Sequence, residues 1–241
     1  YLLSKEEKEK KRAEKKKDAD YVVLEEHPFW MNGGSFRDKT RDALFTFDAK
    51  TGEIRRVTDG DMDVEDAEYI NGKFYYWGER FAGRRGYRPG LFVIDGERET
   101  CLIPQGEKYF SGMLKYGDGL MLLMSDGKTY SYEETPNLYL LNPETDAIAF
   151  FAENHENFYN SVGSDCRRGG GYSLRACGKN IYTISTVGGA ALLRRIDESG
   201  KSAFVYAGDG CIDAFDVNAK GEILAIAMLE GRLQELYSVH A

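Results

Sequence analysis

The sequence is poor in the residues from which hydrolytic and metal sites are usually built. Its 241 residues include three histidines, His27, His155 and His240, and none has a recognisable Ser or Cys partner. No G-x-S-x-G occurs; the nearest stretch, "GYSLR" at 171–175, has Arg175 where a nucleophile elbow needs glycine. Four cysteines, Cys101, Cys166, Cys177 and Cys211, form no C-x-x-C pair and no ligand cluster. Three lie in apolar, strand-like surroundings, so reduced, buried thiols in a cytoplasmic protein are expected, with a Cys166–Cys177 bridge left open. No apolar run reaches the ~18 residues of a membrane-spanning helix. The chain opens at Tyr1 without Met and turns at once to charged residues, which is no signal peptide and suggests a piece of a longer protein.

Cofactor motifs are missing as well. "DGDMDVED" (59–66) has the D-x-D-x-D opening of a calcium loop, but Val64 and Ile70 stand where an EF-hand needs Gly and Glu. An acidic connection between strands is the plainer reading. "SDGKTY" (125–130) is one residue short of the Asp-box of sialidase-like propellers. "RRGGGYS" (167–173) is glycine-rich but lacks the lysine and the following helix of a phosphate loop. No cofactor and no metal are therefore expected.

Positive charge is also in deficit, with a net charge of −8. The basic residues concentrate in "SKEEKEKKRAEKKKD" (4–18), which holds eight Lys or Arg and five acids. The remainder carries 24 basic against 35 acidic side chains, a balance of −11 that repels phosphate backbones. Nucleic-acid and membrane partners are accordingly not expected. The basic run lacks an apolar face and reads as a solvated helix with i,i+4 pairs such as Glu6–Lys10. Residues 1–19 are thus expected to form a charged helical insertion or linker.

What the chain has in quantity is aromatic residues and glycine, with sixteen Tyr and thirteen Phe favouring strands. "ALFTFDAKTGEIRRVT" (43–58) reads as strand, turn, strand. The same shape returns in "GLFVIDGERETCLIP" from Gly90, "NLYLLNPETDAIAFF" from Asn137 and "ALLRRIDESGKSAFVY" from Ala191, and begins again in "ELYSVHA" from Glu235. The marker leucines Leu44, Leu91, Leu138, Leu192 and Leu236 are separated by 47, 47, 54 and 44 residues, close to one four-stranded propeller blade. A second hairpin falls between markers, turning at Asn71-Gly72, at Asp118-Gly119, near Gly178 and near Gly221.

The expectation is an all-β chain. It is a β-propeller of four-stranded antiparallel blades, about five of them or part of a larger propeller, preceded by a short charged helix. Residues 20–241 would form the propeller, incomplete at both ends, with complete units near 61–104, 106–151 and 161–206. In such a blade the 1→2 and 3→4 turns share one face and the 2→3 and 4→1 connections share the other. The first set is uniformly tight. The second is long at 78–90, at 125–136, at 151–161 and before Ala43, which points to that face for function. There, "GERFAGRRGYRPG" (78–90) gathers Glu79, Arg80, Arg84, Arg85 and Arg88, suited to carboxylates or a partner domain. "EEHPFWMNGGSFRDKTRD" (25–42) adds Phe29 and Trp30.

The run "RDALFTFDAKTGEIRRVTDGDMDV" (41–64) closely resembles the propeller segment of acylaminoacyl-peptidases, in the prolyl oligopeptidase family of serine peptidases. "SVGSDCRRGGG" (161–171) and "GDGCIDAFDVNAKGEILAIAMLEGRLQELYSV" (208–239) are similar to later blades of that domain. The resemblance implies a parent hydrolase with an N-terminal propeller of usually seven blades and a C-terminal α/β-hydrolase domain holding the Ser-Asp-His triad. No catalytic residue carries over to this chain. The propeller would gate access and help position peptide substrates for that domain, its partner in the same parent chain. Unclosed blades would leave strand edges open to self-association. A stand-alone scaffold for protein–protein interaction is the alternative. A third reading, a propeller glycosidase using Asp213 and Asp216, needs both carboxylates in one pocket, about 5–10 Å apart.

Overall fold

The computed structural model describes the chain except residues 1–3, 18–19, 31–35, 37–38, 164–165, 167–173 and 240–241. Helix α1 (Lys5–Lys17) starts with a capping box. Ser4 N donates to Glu7 Oε2 at 2.7 Å and Glu7 N donates to Ser4 Oγ at 3.2 Å, satisfying two amides that the first turn leaves free. Its side chains point into water wherever they are described.

Among the described residues seventeen strands follow, in small antiparallel sheets. The hairpin β1 (Phe45–Phe47) and β2 (Ile54–Arg56) stands by itself. The sheet β3 (Met62–Ile70), β4 (Lys73–Arg80), β5 (Gly90–Asp95) and β6 (Arg98–Ile103) is a simple meander. So is β7 (Tyr109–Tyr116), β8 (Gly119–Ser125), β9 (Asn137–Asn142) and β10 (Ala147–Ala152). A third meander is β11 (Leu174–Cys177), β12 (Asn180–Val187), β13 (Ala190–Ile196) and β14 (Ser202–Tyr206). It touches a three-stranded sheet, β15 (Cys211–Val217), β16 (Ile223–Met228) and β17 (Glu235–Val239), through one parallel bridge, Ala191–Cys211. The first two meanders match the predicted units. The third has its first hairpin where expected, with the first strand starting at Leu174.

The middle strands of each meander are buried on both faces, which explains runs such as "GLMLLMS" in β8 that do not alternate with polar residues. Strand pleating sends successive side chains into different cores. Leu120, Leu122 and Met124 join Tyr75, Trp77, Leu91 and Val93 between the first and second meanders. Met121 and Leu123 join Leu174, Ile181 and Ile196 between the second and third. Tyr182, Ile184 and Leu193 meet Phe215, Ile223 and Ala225 on the last sheet. Each fully buried Leu or Met contributes about 1.5–3 kcal/mol. The three meanders are therefore layers in a series, and the last sheet supplies one core only, its other face carrying exposed Leu224, Ile226 and Leu236.

The tight turns at one end are tied from sheet to sheet. Lys73 Nζ donates to Pro143 O (3.0 Å) and Asp146 Oδ1 (3.2 Å), and the buried Tyr75 hydroxyl donates to Asp146 Oδ1 at 2.5 Å. Tyr116 OH donates to Lys179 O at 2.8 Å, and Cys177 Sγ to Asn218 O at 3.2 Å. Cys177 is a reduced thiol, so the Cys166–Cys177 bridge is not formed. Cys101 is exposed and only Cys211 is buried, which corrects the expectation of buried thiols: Cys101 sits on an outer strand whose far side meets water.

At the opposite end the connections are uneven. Long segments span 81–89 and 126–136, yet β12 and β13 are joined by Gly188-Gly189 alone. The long connection after β10 packs inward at some of its described residues and is open at others, His155 and Tyr159 among them. Phe158 is buried, Asn154 Nδ2 donates to Pro136 O at 3.0 Å, and Asn157 O accepts from Ser185 Oγ at 2.8 Å. Buried Arg194 donates to Glu156 (2.8 Å) and Asn154 (2.9 Å) and lies on the Phe158 ring. This connection is a seam in the packing.

Candidate functional site

Two loops stand out as candidate surface, 81–89 and 126–136, contributed by neighbouring meanders and touching each other. The first is anchored from beneath by Glu79, the penultimate residue of β4, at only 6% exposure. Its Oε1 accepts from Gly86 N at 2.8 Å, while Oε2 is buried without a hydrogen-bond partner. A Cβ on Gly86 would stand 2.4 Å from Oε1, so any side chain there would displace the Glu79 carboxylate from this amide. Burial pushes the Glu79 carboxyl above its ordinary range, against the opposing pull of the Gly86 amide and Arg85.

The arginines divide by role. Arg80 bridges Asp59 (2.8 Å) and Glu99 (2.6 Å) with its guanidinium over Phe92. Arg85 donates to Glu65 at 2.7 Å and lies 3.6 Å from buried Asp63. Arg88 lies 4.4 Å from the Tyr109 ring centroid and donates to Gly106 O. Arg84 is exposed, and its guanidinium pairs with none of the described acids. Of the residues singled out in the sequence, Arg84 alone offers an uncommitted charge, and Glu79 lies under the surface.

The segment before β1 straps onto this loop. His27 N donates to Gly83 O (2.6 Å) and Arg85 N donates to His27 O (2.8 Å). Glu26 holds Arg41 bidentately at 2.7 and 2.8 Å, and Arg41 stacks on Phe81. Phe29 is half-buried against His27 and Phe36, whereas Trp30 packs edge-on against Phe36 and stays 52% exposed. His27, Pro28, Gly83, Arg84, Arg85 and Tyr87 line an open cavity of about 430 Å³. A larger recess, about 590 Å³, lies under the β1–β2 hairpin beside Phe74, Ile94 and Glu99, away from these loops.

The second loop was not singled out by the sequence for its tyrosines. Glu134 accepts from three backbone amides, Gly127 (3.2 Å), Thr129 (2.9 Å) and Tyr130 (3.2 Å), tying 127–134 into a knot. It holds Tyr130 and Tyr132 outward at 71% and 67% exposure. The signal was present as "TYSYEE", whose acid follows the tyrosines at loop distance. The other motifs resolve as structure. Asp59 Oδ1 accepts from Asp61 N and Met62 N and starts β3. Asp213 is buried against Asn160 and Gln234 while Asp216 is exposed and paired with Arg175, so the two carboxylates of the glycosidase reading have different surroundings. "RRGGGYS" and His240 lie outside the described residues.

No protein-family model matches the sequence, nor does any curated protein sequence. Solved structures do match. Acylaminoacyl peptidase from Pyrococcus horikoshii aligns with 92% of this chain and 33% of its own, at TM-score 0.69 and 14% identity. The β-propeller domain of the Trilobed protease from Pyrococcus furiosus aligns with 82% of this chain and 58% of its own, at TM-score 0.56 and 15% identity. The chain has a β-propeller fold. An oligogalacturonate lyase solved with manganese aligns over 83% of this chain and 54% of its own (TM-score 0.55, 12% identity), so the likeness extends beyond peptidases. The chain spans about a third of the length of the acylaminoacyl peptidase it resembles.

Proposed function

We propose that this chain is the non-catalytic propeller part of a serine peptidase of the acylaminoacyl-peptidase type. In that reading the 81–89 and 126–136 loops gate access and help position peptide substrates for an α/β-hydrolase domain of the same parent protein. Residues 1–19 are a charged appendage to the propeller at 20–241. The observation that supports the reading is the asymmetry between the two ends of the sheets. Turns at one end are spent on sheet-to-sheet hydrogen bonds, while two adjacent loops at the other present Arg84, Tyr87 and an open cavity. The likeness to acylaminoacyl peptidase supplies the class of reaction.

The test uses the full encoded protein and N-acylated peptides. Arg84→Ala should lower kcat/KM by about two- to fivefold without changing thermal stability, as expected for loss of one exposed ion pair with substrate or hydrolase domain. Arg84→Ala combined with Arg85→Ala and Arg88→Ala should lower it further. Unchanged kcat/KM and domain association in the triple variant would refute the assignment of this face. A stand-alone interaction scaffold is the second reading, favoured by the exposed Leu224, Ile226 and Leu236 on the last sheet. It predicts that the protein forms a defined complex and hydrolyses no peptide.

A further inference from the structure

Three tyrosines from three segments meet where the two loops touch. Tyr87 comes from 81–89, Tyr109 from the start of β7, and Tyr132 from 126–136. The rings of Tyr87 and Tyr132 are 6.2 Å apart between centroids, and those of Tyr109 and Tyr132 are 5.9 Å apart, both edge to face. Tyr87 is 70% exposed, and Tyr130, on the loop that carries Tyr132, is 71% exposed. Rings left in water add little to folding, and here the chain gives up stability to hold them. Ser131 takes a left-handed φ of 54°, unfavourable for a non-glycine residue. Gly127 is also left-handed, and a Cβ there would stand 2.3 Å from Tyr109 Cε2. Glu134 spends its carboxylate on the internal knot. A rigid loop that presents tyrosine has the composition and pre-organisation of a binding hot spot.

The chemistry of the occupant follows from charge and from the chain's own habits. Four guanidinium groups already lie on aromatic rings: Arg41 on Phe81, Arg80 on Phe92, Arg88 on Tyr109 and Arg194 on Phe158. No described cation lies over Tyr87, Tyr130 or Tyr132. Lys128, the nearest basic residue on that loop, is paired with Asp126 at 2.8 Å. Glu133 is exposed next to Tyr132, while the exposed Arg84 lines the cavity with Tyr87, so this surface offers an acid to a cationic side chain at the Tyr132 end and a base to a carboxylate at the Tyr87 end. We propose that the Tyr87–Tyr132 platform docks an arginine side chain of an extended peptide, its guanidinium lying on the rings within reach of Glu133. This rests on the reading of the long-loop face as the one that meets peptides.

The test measures anisotropy of a fluorescein-labelled peptide with two arginines, and of its citrulline counterpart, at about 0.15 M salt, where long-range attraction is screened. Each exposed cation–aromatic contact corresponds to about a two- to fivefold change in affinity. The arginine peptide should bind the full chain at least about threefold more tightly than the citrulline peptide. Tyr87→Ala with Tyr132→Ala should abolish that preference, and Tyr87→Phe with Tyr132→Phe should keep it, since the ring face makes the contact. Equal binding of the two peptides, or a preference that survives the double alanine change, overturns the proposal. Binding of a neutral oligosaccharide with no peptide binding also overturns it and marks a sugar surface. If both peptides bind alike and protect 81–89 from hydrogen exchange, only the arginine inference fails. If neither binds and no loop is protected, the reading of the face fails with it.

Discussion

Replacing Asp146 tests whether the end with tight turns is the structural one. Its carboxylate takes the hydroxyl of fully buried Tyr75 at 2.5 Å and Lys73 Nζ at 3.2 and 3.3 Å, joining one meander to the next. Asp146→Ala leaves both donors only the Pro143 carbonyl, at 3.0 Å for Lys73 and 3.3 Å for Tyr75. A hydrogen bond to a charged group contributes about 1.5–3 kcal/mol. The half-exposed ion pair adds at most about 1 kcal/mol. Asp146 also has φ 56°, where Asp is tolerated better than Ala. Asp146→Ala should therefore cost about 2–4 kcal/mol, and Asp146→Asn, which keeps an acceptor and the backbone tolerance, about 1 kcal/mol. Urea unfolding measures both. A loss below about 0.5 kcal/mol for Asp146→Ala would refute the claim that these turns join the sheets.

Stability should fall as pH rises above about 4.5, the ordinary value for a glutamate, because folded Glu79 keeps its proton to higher pH than the unfolded chain does. Glu79→Gln should remove part of that fall, Asp66 and Glu68 supplying the rest since burial raises them too; an unchanged urea-midpoint profile would contradict this. Glu26, lowered by Arg41, and Asp59, lowered by Arg80, act in the opposite sense: their contribution is present above their ordinary values and is lost as pH falls through the lowered ones. Gly127→Ala should cost about 2 kcal/mol from its left-handed backbone and the collision with Tyr109. It should also change the near-ultraviolet circular dichroism of the tyrosine group, and a spectrum and stability equal to wild type would refute the packing described.

Much of the architecture was legible because one pattern repeats. The leucine markers fall within two residues of the start of a strand in every repeat, and Asn71-Gly72 closes its hairpin as expected, whereas the next turn is Gly117-Asp118, one residue earlier than expected, because Gly117 takes the left-handed backbone and Gly119 already pairs with Tyr116. The site was less legible. Charge count singled out Arg80, Arg85 and Arg88, but a count does not say which guanidinium already has a partner. Their partners Asp59, Asp63, Glu65 and Tyr109 come from other strands and loops. Loop length pointed equally to the connection after β10, of which three-dimensional packing turns Asn154, Glu156 and Phe158 inward around Arg194. The Tyr87–Tyr132 contact joins residues far apart in sequence, and only the stacking of two meanders brings them together.

Hydrogen exchange of the full encoded protein, with and without a slowly cleaved N-acylated peptide, tests the central claim most directly. Protection should appear in 81–89 and 126–136 and leave the turns at 71–72, 96–97 and 143–146 unchanged. Protection of those turns with both loops unaffected would contradict the assignment of function to the long-loop face.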